Sequence, residues 1–415
     1  MQRDMKCDVT CCTVTSASLL AILYLASERS ENTRFTDTSM EQHQLVIQRS
    51  EGRFTPLSLS AATRVSGKAE THWGFLSGCP AGSPSCSNHR CTTRREFTMR
   101  AITIDAYKTL PHLQEMPRPQ PGEGEILIRL HAAGVNPMDK WARDGAYQQF
   151  WPPEFPVVLG FDGAGVVEQA GPGVSAFRPG DDVFGQFMPQ RVHHWGTYAD
   201  YVVASASGAV APKPVTLDYV QAAALPMPVQ VALASLDALE IGSGETVLIV
   251  GATGGIGTYA IQMAVQRGAR VLATARPEVA NYVTSLGAAQ ALDYTQGDLV
   301  SAVHTLYPGG VDAVLDVATR DPAGFEHISQ VLRAGGRLLT TIVTAEAPRL
   351  AEQGINAALL SWQPSAELLG RITRFVDAGQ LKVVIDHIYP LEQAALALEQ
   401  VEHGHVRGKV VLSIV

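Results

Sequence analysis

The sequence contains no cysteine after residue 91, no apolar run long enough to cross a bilayer and no excess of positive charge. The most apolar stretch, residues 17–26, is far shorter than the roughly 18 residues that a membrane-spanning helix needs. The formal net charge is −8, whereas a surface that binds nucleic acid is typically basic. These absences argue against a membrane protein and against a nucleic-acid partner.

The chain is nevertheless long and apolar enough for a large folded core. Its 415 residues are 46% hydrophobic and 17% charged, which is typical of two or three globular domains. The charge is uneven, since residues 1–98 carry 11 Lys and Arg against 9 Asp and Glu and the remainder carries 21 against 31. All six cysteines lie in the first piece. Two pieces of different composition therefore meet near Met99.

Residues 1–98 show no sustained helical or strand period. Their cysteine spacing matches neither a zinc site nor a disulfide framework. Asp4 and Asp8 interrupt the basic start of a secretory signal, and the acidic content is unlike a transit peptide. We expect either a disordered extension or a start codon assigned too early, with Met99 as the natural start. Without a convincing targeting signal, the expected location is the cytoplasm.

From Met99 onward the pattern is that of an α/β protein. Short strands and glycine-rich turns continue to about residue 203, which is typical of a β-barrel module. The pattern is helical from 219 to 238, and strands then alternate with helices, which predicts a doubly wound parallel sheet. The predicted strands after residue 240 are 246–250, 270–274, 291–294, 312–317, 337–342, 355–361, 383–389 and 409–414.

A glycine-rich turn opens this sheet, in the sequence VLIVGATGGIGTYAIQ. Against the dinucleotide fingerprint G-x-G-x-x-G the key positions are Ala252, Gly254 and Gly257, so alanine replaces the first glycine. Gly254 lets the backbone approach a pyrophosphate, Gly257 lets the helix pack on the strand, and the helix start favours the phosphate charge. The turn predicts dinucleotide binding by Ala252, Thr253, Gly254, Gly255, Ile256 and Gly257.

The end of the next strand indicates which dinucleotide is bound. NAD enzymes normally place a carboxylate there, whereas this chain has Thr274 and Arg276 and no acid at the tip. A guanidinium suits the 2′-phosphate of NADP(H). Pairing of Arg276 with Glu278 on the surface is the alternative. We therefore predict NADP(H) as the cofactor.

Several segments, in order along the chain, resemble the medium-chain dehydrogenases/reductases, in the zinc-independent quinone oxidoreductase branch that includes zeta-crystallin. The resemblance covers nearly all of residues 99–415 and none of residues 1–98. The segments are GVNPMDKWARDG (134–145), PVVLGFDGAGVVEQAGPGV (156–174), RPGDDVFG (178–185), GTYADYVV (196–203), AAALP (222–226), VGATGGIGTYAIQ (250–262), LGA (286–288), LDY (292–294) and RGKVVL (407–412).

The resemblance implies a two-domain architecture. Residues 99–223 would form a GroES-like β-barrel catalytic domain, and residues 363–415 would return to complete it. Residues 224–362 would form a Rossmann domain that binds NADP(H). The strand at 355–361 would lie at the edge of its sheet, where an unpaired edge favours pairing with a second copy. We therefore expect a homodimer through this edge.

The resemblance also bears on zinc, which some members of the family bind through Cys and His. This chain has Asn136 in place of the first cysteine, and Gly-Phe-Asp with Phe161 and Asp162 in place of Gly-His-Glu. His193 and His194 are adjacent, so on a strand they would point to opposite faces. We therefore predict that no metal is bound.

Without a metal, the remaining chemistry is hydride transfer from NADPH to an acceptor that is already electrophilic. The resemblance places Asn136 near the nicotinamide, where its amide can donate to a carbonyl oxygen. Asp139 would orient that loop or cap a helix. Trp141 replaces a tyrosine of the family and could stack on a flat acceptor, and Tyr147 is the remaining candidate phenol or a packing residue of the cleft.

Further positions near the cofactor also depart from the family. Val231 replaces a threonine beside the nicotinamide. Ala280 replaces a lysine that holds the 2′-phosphate, which leaves Arg276, Thr274 and Tyr294 to share that role. Tyr294 could equally be a half-buried strand end.

Three functions are compatible with the sequence. The first is a metal-free, NADPH-dependent quinone reductase, and the second is an enoyl or alkenal double-bond reductase on the same scaffold. The third is a low-turnover NADPH-binding protein with a structural or regulatory role. The expected small-molecule partner is a quinone or enone.

Overall fold

The structure is a computed structural model that describes residues 98–149, 154–188, 196–342, 347–352 and 354–415. The expectations for residues 1–97 and for His193 and His194 fall outside these ranges and stay predictions. Among the described residues no helix is both long and apolar enough to cross a bilayer.

The described residues form sixteen strands and ten α-helices. The strands are β1 (Thr98–Ile104), β2 (His112–Pro117), β3 (Glu125–Val135), β4 (Val157–Val158), β5 (Asp162–Ala170), β6 (Asp182–Gln186), β7 (Tyr201–Ser205), β8 (Val210–Pro212), β9 (Thr246–Val250), β10 (Arg270–Thr274), β11 (Gln290–Leu292), β12 (Val311–Asp316), β13 (Leu332–Thr340), β14 (Asn356–Leu359), β15 (Ile385–Pro390) and β16 (Lys409–Ser413). The helices are α1 (Pro137–Arg143), α2 (Tyr219–Ala223), α3 (Pro226–Ala238), α4 (Gly255–Gln266), α5 (Ala280–Ser285), α6 (Leu299–Leu306), α7 (Pro322–Ser329), α8 (Ala347–Glu352), α9 (Ala366–Asp377) and α10 (Ala394–His403).

Strand β3 organises the first part of the fold. It pairs antiparallel with β5, β7 and β16, and the sheet continues through β6 and β8 on one side and β15 on the other. A small sheet of β2, β1 and β4 lies beside it. The end of the chain reaches β3 through β16, where Val410 is opposite Val135. The C-terminal strand β16 therefore joins the sheet that β3 organises near the start of the described residues.

The second part is a six-stranded parallel sheet with the order β11-β10-β9-β12-β13-β14. Chain order reverses between β9 and β12, which is the position where such sheets leave a crevice for a ligand. The predicted doubly wound sheet is confirmed, and β9 and β10 have the predicted bounds. Strand β14 is the sheet edge on which the predicted dimer depends.

Several elements differ from the sequence prediction in number or bounds. The single helix expected over 219–238 is two helices, because Pro226 begins a new helix where its missing N–H does no harm. Strand β13 begins at Leu332 rather than at 337. Its register against β12 shifts, and Gly335 has φ 73°, so its first residues do not show the regular pattern of a strand in the sequence. Strand β14 spans only four of the seven residues expected for it.

Candidate active site

The glycine-rich turn after β9 is built by close backbone packing. Gly251 has φ 81°, and a Cβ added there would lie 2.9 Å from the Cβ of Ala318. A Cβ on Gly257 would lie 2.4 Å from the Gly251 carbonyl oxygen, so this glycine lets α4 approach the turn. A Cβ on Gly254 would meet only that oxygen, at 3.6 Å. In the dinucleotide fingerprint the first glycine makes the tight turn. Here Gly251, one residue before the first motif position, has that role, and Gly254 has an open face.

The six residues predicted at this turn lie in two layers. Thr253, Gly254, Gly255 and Ile256 line a cavity of about 580 Å³ between the parallel sheet and the β3 sheet. Ala252 is fully buried beneath the turn and Gly257 is buried in the helix. These two positions shape the turn and lie away from the cavity surface.

The end of β10 brings the residues predicted for the 2′-phosphate together. Arg276 Nε donates to the Tyr294 hydroxyl at 3.3 Å, and the guanidinium also contacts the His405 ring. Thr274 lies deeper, where its hydroxyl accepts the Gly251 N–H at 3.1 Å. Arg276 therefore contacts Tyr294 and His405, and not Glu278, which was the alternative partner considered from the sequence. No sequence pattern indicated a role for His405, which is 129 residues away from Arg276.

Asn136, Trp141 and Tyr147 line the same cavity as the glycine-rich turn. Trp141 is 40% exposed, whereas Asn136 is 1% exposed. Val231, which replaces a threonine of the family, also lines the cavity. The structure therefore brings the three predicted catalytic residues to the predicted cofactor turn.

Asn136 belongs to a buried polar cluster at the end of β3. Its side-chain Nδ2 donates to Asp162 Oδ2 at 2.9 Å, and its backbone N–H donates to Asp139 Oδ2 at 2.7 Å. Asp139 also accepts the Tyr198 hydroxyl at 2.8 Å. Asp139 is the third residue of α1, and its bond to the Asn136 N–H caps this helix. Helix capping was one of the two roles expected for Asp139, the other being orientation of the loop.

The fifth member of this cluster, Lys409, was missed by the sequence interpretation. It is 4% exposed, lines the cavity, and its ammonium donates to the Val135 carbonyl and to Asn136 Oδ1. The one available signal was its place in the RGKVVL segment that carried the resemblance. The distance along the chain, 273 residues from Asn136, hid the contact.

Burial dominates the acid–base properties of the cluster. It raises the pKa of Asp139 to about 7 and that of Asp162 to about 6, although hydrogen bonds and Lys409 oppose the shift. Burial also lowers the pKa of Lys409, against the attraction of Asp162 and Asp139. One carboxyl oxygen of each aspartate is buried without a hydrogen-bond partner. An uncharged carboxyl group tolerates such a position better than a carboxylate does.

The donor set at this place does not fit zinc. Zinc in proteins is held by thiolate, imidazole or carboxylate ligands. Here Phe161 offers no donor, the Asn136 amide is engaged by Asp162 and Lys409, and the Lys409 ammonium is itself a cation in the cluster. The carboxyl groups of Asp139 and Asp162 are only two of the three or four ligands that a zinc site takes. Among the described residues no group of three His, Cys, Asp or Glu side chains could hold a metal ion.

Comparison with known proteins shows the family to which the chain belongs. Residues 122–215 match the model of the alcohol dehydrogenase GroES-like domain, and residues 286–412 match that of a zinc-binding dehydrogenase. Human mitochondrial NAD(P)H oxidoreductase RTN4IP1 is 31% identical over 380 residues, covering 80% of this chain and 93% of that protein. The chain belongs to the medium-chain dehydrogenase/reductase superfamily.

Other members of the superfamily agree with this assignment. Rat quinone oxidoreductase is 30% identical and covers 76% of this chain and 97% of that protein. The NADPH-dependent alkenal/one oxidoreductase of Arabidopsis thaliana is also 30% identical, over 71% of this chain and 73% of that protein.

Solved structures of medium-chain dehydrogenases/reductases also match. The quinone oxidoreductase of Coxiella burnetii has a TM-score of 0.70 and 31% identity, covering 77% of this chain and 100% of that one. An NAD-dependent alcohol dehydrogenase has a TM-score of 0.68 and 33% identity, covering 76% and 100%. The predicted superfamily and its GroES-like and Rossmann parts are confirmed.

Two glycines of the turn should respond differently to alanine. G257A forces a methyl group against backbone atoms, so we expect a loss of stability of about 1–3 kcal/mol, seen as a lower melting temperature. G254A adds a methyl group to the open face, so we expect an unchanged melting temperature and about tenfold weaker dinucleotide binding, or about 1.4 kcal/mol. Thermal unfolding and NADPH fluorescence titration measure the two effects. Equal melting temperatures for G257A and the wild type would contradict the packing argument.

The raised pKa of Asp139 predicts a pH dependence of stability. At a pH between 3.8, the ordinary pKa of an aspartate, and about 7, Asp139 holds a proton in the folded protein that it releases in the unfolded chain. The stabilising effect of this proton is complete below that window and is lost as the pH rises through it. D139N keeps an acceptor oxygen but does not titrate. We therefore expect the melting temperature of D139N, relative to wild type, to increase from pH 4.5 to 7.5. A constant difference would rule out the shift.

Proposed function

We propose that the protein is an NADPH-dependent reductase that transfers a hydride to a quinone without a metal ion. The observation that carries this proposal is one cavity lined by both the open glycine-rich turn and the buried Asn136 amide. The names of the quinone oxidoreductase relatives support the same activity.

The cofactor residues fit a dinucleotide that carries a 2′-phosphate. The open face at Gly254 and the start of α4 would receive the pyrophosphate, since N–H groups and the helix dipole favour negative charge there. Arg276, Tyr294 and His405 would surround the 2′-phosphate. When bound, the reduced nicotinamide supplies the hydride.

The cavity favours a flat, apolar acceptor. Most of its wall is apolar, and the large side chains among its lining residues include Met138, Trp141, Met188, Ile342 and Trp362. Asn136 would donate a hydrogen bond to the acceptor oxygen as negative charge develops on it. Tyr147 lines the cavity as well and is the phenol that we propose as the proton donor.

The donor set also argues for a reaction without zinc. A quinone needs no Lewis acid, because its conjugated carbonyl groups already accept a hydride. The amide of Asn136, beside a buried ammonium, provides a hydrogen-bond donor for this purpose. Some structural relatives are named alcohol dehydrogenases, and the donor set here is the reason for not extending that activity to this chain.

The second candidate is reduction of an alkenal or enone double bond. It requires the same hydride and the same cavity, and the Arabidopsis relative is named for that activity. The third candidate, an NADPH-binding protein with little turnover, is kept as an outcome of the assay below.

Assembly and location complete the proposal. We propose a homodimer formed by pairing of the β14 edge with its copy, since β13 covers only one side of this strand. The cytoplasm remains the proposed location, although the similar human protein is named as mitochondrial.

The primary test is NADPH oxidation by the full chain, followed at 340 nm with EDTA present. We expect a simple 1,4-quinone to be reduced faster than a trans-2-alkenal, and NADPH to be preferred to NADH. A faster reaction with the alkenal would establish the second candidate instead. NADPH binding without oxidation by either acceptor would establish the third.

The choice between NADPH and NADH should depend on Arg276. R276Q removes a charge-assisted contact worth about 1.5–3 kcal/mol, so we expect NADPH binding to weaken about 10- to 100-fold. NADH affinity should be unchanged. The matched control is R270Q, at the exposed start of the same strand β10, which should change neither affinity. Equal weakening of NADPH and NADH in R276Q would contradict a 2′-phosphate contact.

A further inference from the structure

Lys409 is a buried lysine at the floor of the cavity. A lysine is rarely buried without partners, because removing its charge from water is costly. Here the Val135 carbonyl and Asn136 Oδ1 accept from its ammonium group, and Asp162 and Asp139 lie near enough to attract it. Neither the capping of α1 nor the pairing of β16 with β3 requires a charge at this position.

The same side chain also lies beside the glycine-rich turn. A Cβ added to Gly255 would lie 3.0 Å from Lys409 Cδ. The preceding residue joins the two segments directly, since the Gly408 N–H donates to the Thr253 carbonyl at 2.9 Å. Lys409 therefore lies between the turn assigned to the cofactor and the amide assigned to the acceptor.

Lys409 and Asp162 together determine how the Asn136 amide is turned. An ammonium group can only donate, so the amide oxygen must face Lys409. The Asp162 carboxyl oxygen that faces Asn136 also accepts the Met227 N–H at 3.0 Å, so it receives the amide Nδ2 as a second donor. One N–H of Asn136 is used in this contact, and the amide has a second.

We propose that Lys409 is a positioning residue of the active site, which fixes the Asn136 amide so that its second N–H is available to the acceptor oxygen. This inference rests on the proposed function for its kinetic consequence. Its structural part, the orientation of the amide, can be measured without turnover.

A merely structural lysine predicts a different result. If Lys409 only filled space and balanced charge, its loss would lower stability, and its effect on turnover would add to that of losing Asn136. If it acts through Asn136, the two losses overlap. A double-mutant cycle therefore separates the two roles.

The kinetic experiment compares K409M, N136A and the double variant K409M/N136A in the full chain. We expect N136A to lower kcat with a quinone about 100-fold, as for loss of one oxyanion donor. K409M should lower kcat by at least about tenfold, which is less than the loss of the donor itself. The NADPH affinity of K409M should stay within about threefold of wild type. The double variant should be no slower than N136A. Multiplication of the two losses would overturn the proposal.

Two further variants serve as controls. K382M changes an exposed lysine of the same C-terminal segment and should behave as wild type. K409M/D162N removes one negative charge along with the positive one, and Asn at 162 can still accept from Asn136. If K409M alone fails to fold, this variant should fold and should show the same loss of kcat. Wild-type kcat in folded K409M/D162N would also overturn the proposal.

A measurement without turnover distinguishes failure of this inference from failure of the proposed function. The chain has five asparagines, and among those in the described residues only Asn136 is buried. In protein labelled with ¹⁵N-asparagine, N136A identifies the Asn136 side-chain signals. We expect these signals to be protected from solvent exchange in wild type and to lose protection in K409M/D162N but not in D162N or K382M. Retained protection would overturn the proposal even if no acceptor is reduced.

Discussion

The contact between Lys409 and the end of β3 is the interaction on which the site depends. It joins the last strand of the chain to the strand that organises the first sheet, and it does so with a charge buried from water. Such a charge is stable only when its partners are correctly placed, and removing one partner is costly. The cluster of Asn136, Asp139, Asp162, Tyr198 and Lys409 is therefore fixed as a unit.

The parallel sheet adds a second constraint from the other side of the cavity. Reversal of chain order between β9 and β12 opens a crevice, and the left-handed Gly251 turns the chain there. Gly257 then brings α4 against the turn, which leaves the face at Gly254 open. Because Gly408 is hydrogen-bonded to Thr253, the open turn and the polar cluster are held at a defined separation.

Features formed by residues close together in the chain could be predicted from the sequence, whereas contacts between distant residues could not. The glycine-rich turn and strands β9 and β10 are encoded by neighbouring residues, and so was the α/β class. Asn136 was reached through the family resemblance, and Arg276 through its place at the end of strand β10. The partners Lys409 and His405 come from the other end of the chain, and no local pattern predicts a pairing over such distances. Strand β13 was misplaced because a register shift interrupts its alternation.

The chemistry of the cluster sets the kind of acceptor that suits it. A metal ion polarises an unactivated alcohol directly, whereas an ammonium group acting through an amide offers one oriented hydrogen bond. A hydrogen bond of this kind can stabilise an oxygen that becomes negative during the reaction, but it cannot ionise an alcohol by itself. The proposed reaction without a metal ion therefore requires an acceptor that is electrophilic before it binds. Since the cavity wall is mostly apolar and contains two tryptophans, the flat conjugated carbonyl compound that we propose as acceptor suits its lining.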